Sequence, residues 1–136
     1  MTRNAAIESW VKEMAAVTQP DRIHWCDGSQ AEYDALVQLM LKDGTLIELD
    51  QQKWPNCYLH RSHSSDVARV EHLTFICSDT KEDAGPTNNW MSPADAKAKV
   101  WPLFSGCMKG RTMYVIPYLM GPASSRLSKV GVELTD

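Results

Sequence analysis

No apolar run in the sequence approaches the ~20 residues needed to cross a bilayer as a helix. There is no basic excess either: 14 Lys and Arg stand against 17 Asp and Glu, for a formal net charge of -3. A nucleic-acid surface needs cationic side chains to neutralise phosphates, so the charge balance excludes the ordinary form of that function. The four cysteines, Cys26, Cys57, Cys77 and Cys107, form no C-x-x-C pair. That excludes the close spacing of a zinc site and the density of a disulfide scaffold. They are expected to be reduced and mostly buried as small apolar side chains. Also missing are G-x-x-x-x-G-K-[ST], G-x-G-x-x-G, H-E-x-x-H and G-x-S-x-G. The chain therefore offers no phosphate cradle, dinucleotide turn, zincin helix or nucleophile elbow. Met1-Thr2-Arg3-Asn4-Ala5-Ala6 is followed by no apolar stretch of the kind a secretory signal needs, and Glu8 is out of place in a transit peptide, so a cytoplasmic location is expected.

What is present suits one soluble domain over 1–136. Of the 136 residues, 43% are apolar and 23% charged, ordinary values for a globular domain. No internal repeat or low-complexity segment interrupts the chain. Ile7, Trp10, Val11 and Met14 recur at helical spacing between Asn4 and Val17, and Pro20 closes that stretch. Arg22 to Cys26 reads as a short strand. Ser29-Gln30-Ala31-Glu32 has the spacing of a capping box. Tyr33, Leu36, Val37, Met40 and Leu41 line the helix that follows, and Gly44 fits its left-handed end. Thr45 to Leu49 reads as a strand, Asp50 to Val70 as loop, Leu73 to Cys77 as a strand, and Ser78 to Trp90 as turns around Gly85-Pro86. Ser92-Pro93 starts a third helix, which Pro102 should kink or split and Gly110 should end. Thr112 to Tyr118 and Lys129 to Leu134 read as strands, with Pro117 limiting the first or placing it at an edge. The alternation of helices and strands predicts an α/β fold: a mixed sheet with helices packed on it.

Residues able to carry chemistry are few. His60 and His63 lie three apart, but Ser, Asp and Arg neighbours mark them as solvated loop histidines, so no metal site is expected. His24 and His72 border strand-like pieces and read as structural. Trp54, Trp90 and Trp101 lack interleaved cations and read as core, while Lys81-Glu82-Asp83 reads as a solvated turn. Arg69 stands at the junction of a long loop and a strand. Its planar fork suits a carboxylate or phosphate, although most arginines so placed serve surface ion pairs.

From Arg69 onward the chain resembles a known family. Asp66-Val67-Ala68-Arg69-Val70-Glu71, Thr74-Phe75-Ile76-Cys77-Ser78 and Asp83-Ala84-Gly85-Pro86-Thr87-Asn88-Asn89-Trp90-Met91 resemble the GTP-dependent phosphoenolpyruvate carboxykinases. Gly106 to Val115, Met120-Gly121-Pro122 and Gly131 to Asp136 continue the likeness, and Cys26 to Ser29 and Gly44 to Leu46 precede it. The likeness is to the amino-terminal domain. Pro102 and Ala123 to Arg126 depart from the pattern.

The resemblance implies an enzyme that converts oxaloacetate and GTP to phosphoenolpyruvate, carbon dioxide and GDP in gluconeogenesis. It implies manganese as a Lewis acid, with magnesium accompanying GTP. By the same resemblance, Arg69 binds the substrate anion, and Glu71, two residues on in the same mobile loop, either makes a mobile-loop or lid contact as that loop meets the closing lid or is a plain surface carboxylate. No catalytic residue and no metal ligand falls within this chain, because the nucleotide and metal sites belong to later sequence. The remainder of the same enzyme is then its partner, and the isolated chain is expected to be inactive. A freestanding non-catalytic module that binds anions or regulates a partner is the alternative, and a split enzyme a third reading.

Overall fold

The computed structural model describes residues 4–66 and 70–136. The chain divides into two compact units, residues 1–26 with 70–136, and residues 27–69.

In the first unit, α1 (Ala5–Thr18) begins where Asn4 Oδ1 accepts from the N–H groups of Ala6 and Ile7. It ends at Gln19, whose left-handed backbone (φ 56°) lets its N–H donate to Ala15 O. β1 (Arg22–Trp25) follows. α3 (Pro93–Phe104) starts under a Ser92 cap, with its Oγ accepting from Asp95 N, and Pro93 occupies the first turn, where no N–H is needed. β6 (Thr112–Met120) and β7 (Lys129–Thr135) close the unit.

The sheet order is β1-β6-β7. β1 runs parallel to β6 (Arg22 opposite Thr112, Trp25 opposite Val115), whereas β6 and β7 are antiparallel (Tyr114 opposite Thr135, Met120 opposite Lys129). The sheet is therefore mixed, as the alternating pattern predicts. β1 ends before Pro117, which pairs only with Val132 of β7 among the described residues, so the imide costs no bond to β1.

Alternate residues of β6 turn inward. Met113 and Val115 are fully buried and join Val11 and Met108 in one core. Ile7, Met14 and Ala15 of α1 pack against them from the helix side, and Val132 and Leu134 from the sheet. The i, i+4, i+7 spacing in α1 therefore buries a face, although Trp10 remains 42% exposed at its margin. Thr18 is buried without penalty because its Oγ1 donates to Met14 O (2.8 Å). Truncating Met113 to alanine removes the side chain at the centre of this core. It should cost about 2–5 kcal/mol, read as a lower midpoint in thermal or urea denaturation. A loss under about 1 kcal/mol would contradict this account of the packing.

Several boundaries differ from expectation, among them the strand expected over 45–49, which is Ile47–Glu48. α3 ends at Phe104, not at Gly110. Pro102 cannot donate in the last turn, and the chain then folds into turns through Gly106 (φ 69°) and Gly110 (φ 79°). Those turns are held from outside: Gly106 N donates to Val17 O, Met108 N to Thr18 O, and Gly110 N to Asp21 Oδ1. The expected strand over 73–77 shrinks to β4 (Phe75–Ile76), because residues Glu71–Leu73 form a 3-10 turn.

In the second unit, α2 (Gln30–Asp43) is capped by Ser29, whose Oγ accepts from Glu32 N (3.2 Å). The reciprocal half of the expected capping box is rearranged. Glu32 Oε2 reaches past Ser29 to the N–H groups of Asp27 (3.0 Å) and Gly28 (2.8 Å), while Ser29 N donates to Asp27 Oδ1. Gly44 ends the helix at φ 83°. Asp43 accepts from Thr45 N (2.9 Å), and that bond holds its carboxyl below the ordinary value of 3.8. Val37 is buried and Leu36, Met40 and Leu41 are half-buried, but Tyr33 is exposed.

The segment expected to be loop after Asp50 contains β3 (Tyr58–Leu59), antiparallel to β2 (Ile47–Glu48). The Gln51 amide closes this hairpin. Its Nε2 donates to Leu49 O and Cys57 O, and its Oε1 accepts from Asn56 N. Among the described residues, no helix is long and apolar enough to cross a membrane.

Candidate functional site

Arg69, the expected substrate residue, lies outside the described residues, with Val67 and Ala68. The structure describes the segment that follows it from Val70 onward. Glu71 opens the 3-10 turn Glu71–Leu73, and its side chain is exposed. Two backbone bonds close the turn, Leu73 N to Val70 O (2.8 Å) and Thr74 N to Glu71 O (3.1 Å). Thr74 Oγ1 adds a third by donating to Val70 O.

β4 then pairs in parallel with β5 (Asn89–Trp90), Phe75 opposite Asn89 and Ile76 opposite Trp90. A parallel pair two residues long is weak by itself. Side chains of the Asn88-Asn89-Trp90 run supply the missing constraint. Asn89 Nδ2 donates to Glu71 O (3.0 Å) and to Thr74 O (3.1 Å). Trp90 Nε1 donates to Ser78 O (3.1 Å), and Asn88 Nδ2 to Ala84 O (2.7 Å). Between them, the 3-10 turn Glu82–Ala84 packs Ala84 inward, and Thr80 Oγ1 donates to Asp83 Oδ2. Side-chain amides and an indole N–H thus tie together the turns of a segment whose large apolar residues are mostly exposed.

Other expected residues fall elsewhere. His60 and His63 are exposed, each with Nδ1 engaged, on Thr45 O (2.8 Å) and Ser65 Oγ (2.7 Å). His24 sits in β1 with its ring edge-on to Tyr114, centroids 5.5 Å apart. His72 is exposed on the 3-10 turn.

The tryptophans do not form a common core. Trp54 is 60% exposed, while Trp90 and Trp101 are half-buried and Trp101 carries Lys97 over its ring. Nor are the cysteines buried: Cys57, Cys77 and Cys107 are exposed and Cys26 is half-buried. Cys57 and Cys77 adjoin two-residue strands, and Cys107 belongs to the turns after α3, so none lies within the buried core cluster. A cavity of about 290 Å³ beside the core is lined by Trp10, Met14, Trp101, Phe104 and Leu134 among others, with Thr18 Oγ1 already committed to Met14 O. It offers apolar volume and no charged side chain.

A sequence reading seeking only charged residues passes over Asn89. The available signal is an adjacent pair of amide side chains after Gly85-Pro86, in a turn-rich stretch with many backbone carbonyls to satisfy.

The described residues of the first unit thus define a mixed α/β domain with a hydrogen-bonded, turn-rich segment over residues 70–90. The chain belongs to the phosphoenolpyruvate carboxykinase N-terminal domain family, whose model matches residues 9–136. It is 60% identical over 135 residues to a phosphoenolpyruvate carboxykinase [GTP] of Anaeromyxobacter sp. (strain K), covering 99% of this chain and 23% of that protein. Proteins of the same name from Neocallimastix frontalis and Chlamydia pneumoniae are 54% and 51% identical, each covering 98% of this chain and 22% of the relative. The chain thus spans less than a quarter of the length of the relatives it matches.

Proposed function

We propose that this chain is the substrate-side, N-terminal part of a GTP-dependent phosphoenolpyruvate carboxykinase, and that Arg69 binds the anionic substrate. The observation that carries this reading is 60% identity across 99% of the chain to a protein of that name. In the proposed reaction the bond between C3 of oxaloacetate and its departing carboxyl breaks, releasing carbon dioxide. The γ-phosphoryl group of GTP passes to the enolate oxygen.

The contribution of this chain is to bind and orient. The Arg69 guanidinium offers two parallel N–H donors to one carboxylate or phosphate, which fixes both position and angle. To Glu71, exposed on the turn two residues later, we assign contact with a closing segment of the longer protein. We assign no catalytic residue to the chain.

Manganese, and magnesium with GTP, supply Lewis acidity and charge neutralisation when bound. We assign both to the remainder of the longer protein; for GTP and its magnesium, the lack of a P-loop motif in this sequence supports the assignment. That remainder is the proposed partner. Leu103, Leu127, Met120 and Val130 are each at least 60% exposed in the first unit, as is Trp54 in the second. Apolar side chains of this kind are the material of an interface. A cytoplasmic enzyme of gluconeogenesis, with no nucleic-acid partner, is the corresponding cellular reading.

The test is direct. The longer protein that carries this chain should form phosphoenolpyruvate from oxaloacetate only when GTP and manganese are supplied, followed in a coupled assay. Absence of phosphoenolpyruvate from the folded, metal-loaded protein would sink the assignment.

A further inference from the structure

We propose that a strand from the remainder of the longer protein pairs with the open edge of β7 and fills two cavities beside α1 with apolar side chains. The inference rests on the functional reading above only for the existence of that longer protein, and every observation behind it lies within the first unit. The sheet order is β1-β6-β7, so among the described residues β7 pairs on one side only. It is seven residues long, and in an antiparallel pair about half of a strand's N–H and C=O groups point away from the partner. An edge of that kind templates another strand unless a proline, a bulge or an inward charge blocks it. β7 contains no proline, and its register against β6 runs unbroken from Lys129 to Thr135. Its two charged residues, Lys129 and Glu133, alternate onto the face opposite Val130, Val132 and Leu134.

The face toward α1 specifies what the added strand carries. Val132 and Leu134 pack against the core, whereas Val130, in the same row, is 60% exposed. Trp10 of α1 lines both cavities. One, of about 370 Å³, is shared with Ile7, Val130 and Val132, and the other, of about 290 Å³, with Met14, Phe104 and Leu134. Val132 and Leu134 are two residues apart, and an extended strand repeats a side chain on one face every roughly 7 Å. A strand laid along β7 therefore brings alternate side chains to the two cavities while its backbone takes up the free ladder groups. No charged side chain lines either cavity. The side-chain oxygens there are committed: Asn4 Oδ1 accepts from Ala6 N and Ile7 N, and Thr18 Oγ1 donates to Met14 O. The inserted side chains are thus apolar. The chain covers only 23% of a relative's length, so most of such a protein lies outside the part described. A strand from the same polypeptide competes at high effective concentration, which favours it over a second copy.

The test uses the longer protein. Hydrogen exchange read residue by residue should show every amide from Val130 to Thr135 protected, rather than alternate ones. In a second arm, Val130→Cys is compared with Lys12→Cys, an exposed position on α1. Maleimide labelling, mapped by peptide mass, should be at least about tenfold slower at 130 than at 12. Val130→Glu sets a carboxylate at the larger cavity. It should speed exchange of the outward-facing β7 amides about tenfold and leave Ile23 and His24, on the far edge of the sheet, as they were.

Alternate protection along β7, or equal labelling at 130 and 12, would overturn the proposal. Protection that disappears on dilution would overturn it too, because the occupant would then be a second copy. None of these readouts is carboxykinase activity. A protected edge in a protein that forms no phosphoenolpyruvate sinks the functional reading and leaves the paired edge standing, and an open edge in an active protein does the reverse.

Discussion

Replacing Arg69 with alanine in the longer protein should lower kcat/KM for oxaloacetate by at least about a hundredfold, on the order of 3 kcal/mol of transition-state stabilisation. The size follows from the kind of contact proposed. A guanidinium gripping a carboxylate or phosphate makes two charge-assisted bonds, each stronger than a neutral hydrogen bond. Its loss also leaves the substrate free to rotate about the remaining contacts, which adds an orientational term. Arg69→Lys separates these effects. Lysine restores the charge as a point, without the planar fork, so it should recover part of the affinity and less of kcat. The check is steady-state kinetics at saturating GTP and manganese, with the melting temperature measured alongside. A change below about tenfold in Arg69→Ala would mean that the residue forms an ordinary surface ion pair, a contact worth about 1 kcal/mol or less.

Features governed by near neighbours in the chain were legible in the sequence. Ser29 and Ser92 cap helices because a short side-chain oxygen reaches the N–H group three residues on, and Gly44 ends α2 because φ 83° suits glycine. The strand at 112 is equally plain, since Met113 and Val115 alternate with less buried residues. Features set by distant partners were not legible. β3 exists because Gln51 closes the hairpin around 49–57, and no periodicity marks a two-residue strand. β4 stops short because Asn89, 15 residues from Thr74, draws the preceding carbonyls into a turn. Glu32 was expected to answer Ser29 but bonds Asp27 and Gly28, since its longer reach satisfies two donors at once.

The site divides in the same way. Composition and spacing alone left Arg69 indistinguishable from a surface arginine, and only the ordered run of family-like segments singled it out. Asn89 carries no charge and belongs to no catalytic class, so its part is visible only once Glu71 O and Thr74 O are seen to share its amide.

The 136-residue chain by itself, folded and verified by mass, should show no GTP-dependent formation of phosphoenolpyruvate with manganese. One arginine can hold one anion. The reaction needs two substrates aligned for in-line transfer, and most of its rate advantage comes from that alignment, worth about 7–11 kcal/mol in well-oriented systems. It also needs cations positioned on the transferring phosphoryl group, which we assign to the remainder of the longer protein. Phosphoenolpyruvate formation is the proper readout, because loss of carbon dioxide alone does not require phosphoryl transfer. No product above the protein-free control would agree with the division of labour proposed here, anion binding in this part and metal and nucleotide in the remainder. Product that follows the purified chain through a sizing column and disappears in Arg69→Ala would mean that these residues assemble a complete site. The search would then turn to the polar side chains around residues 70–90, which follow Arg69 in the chain.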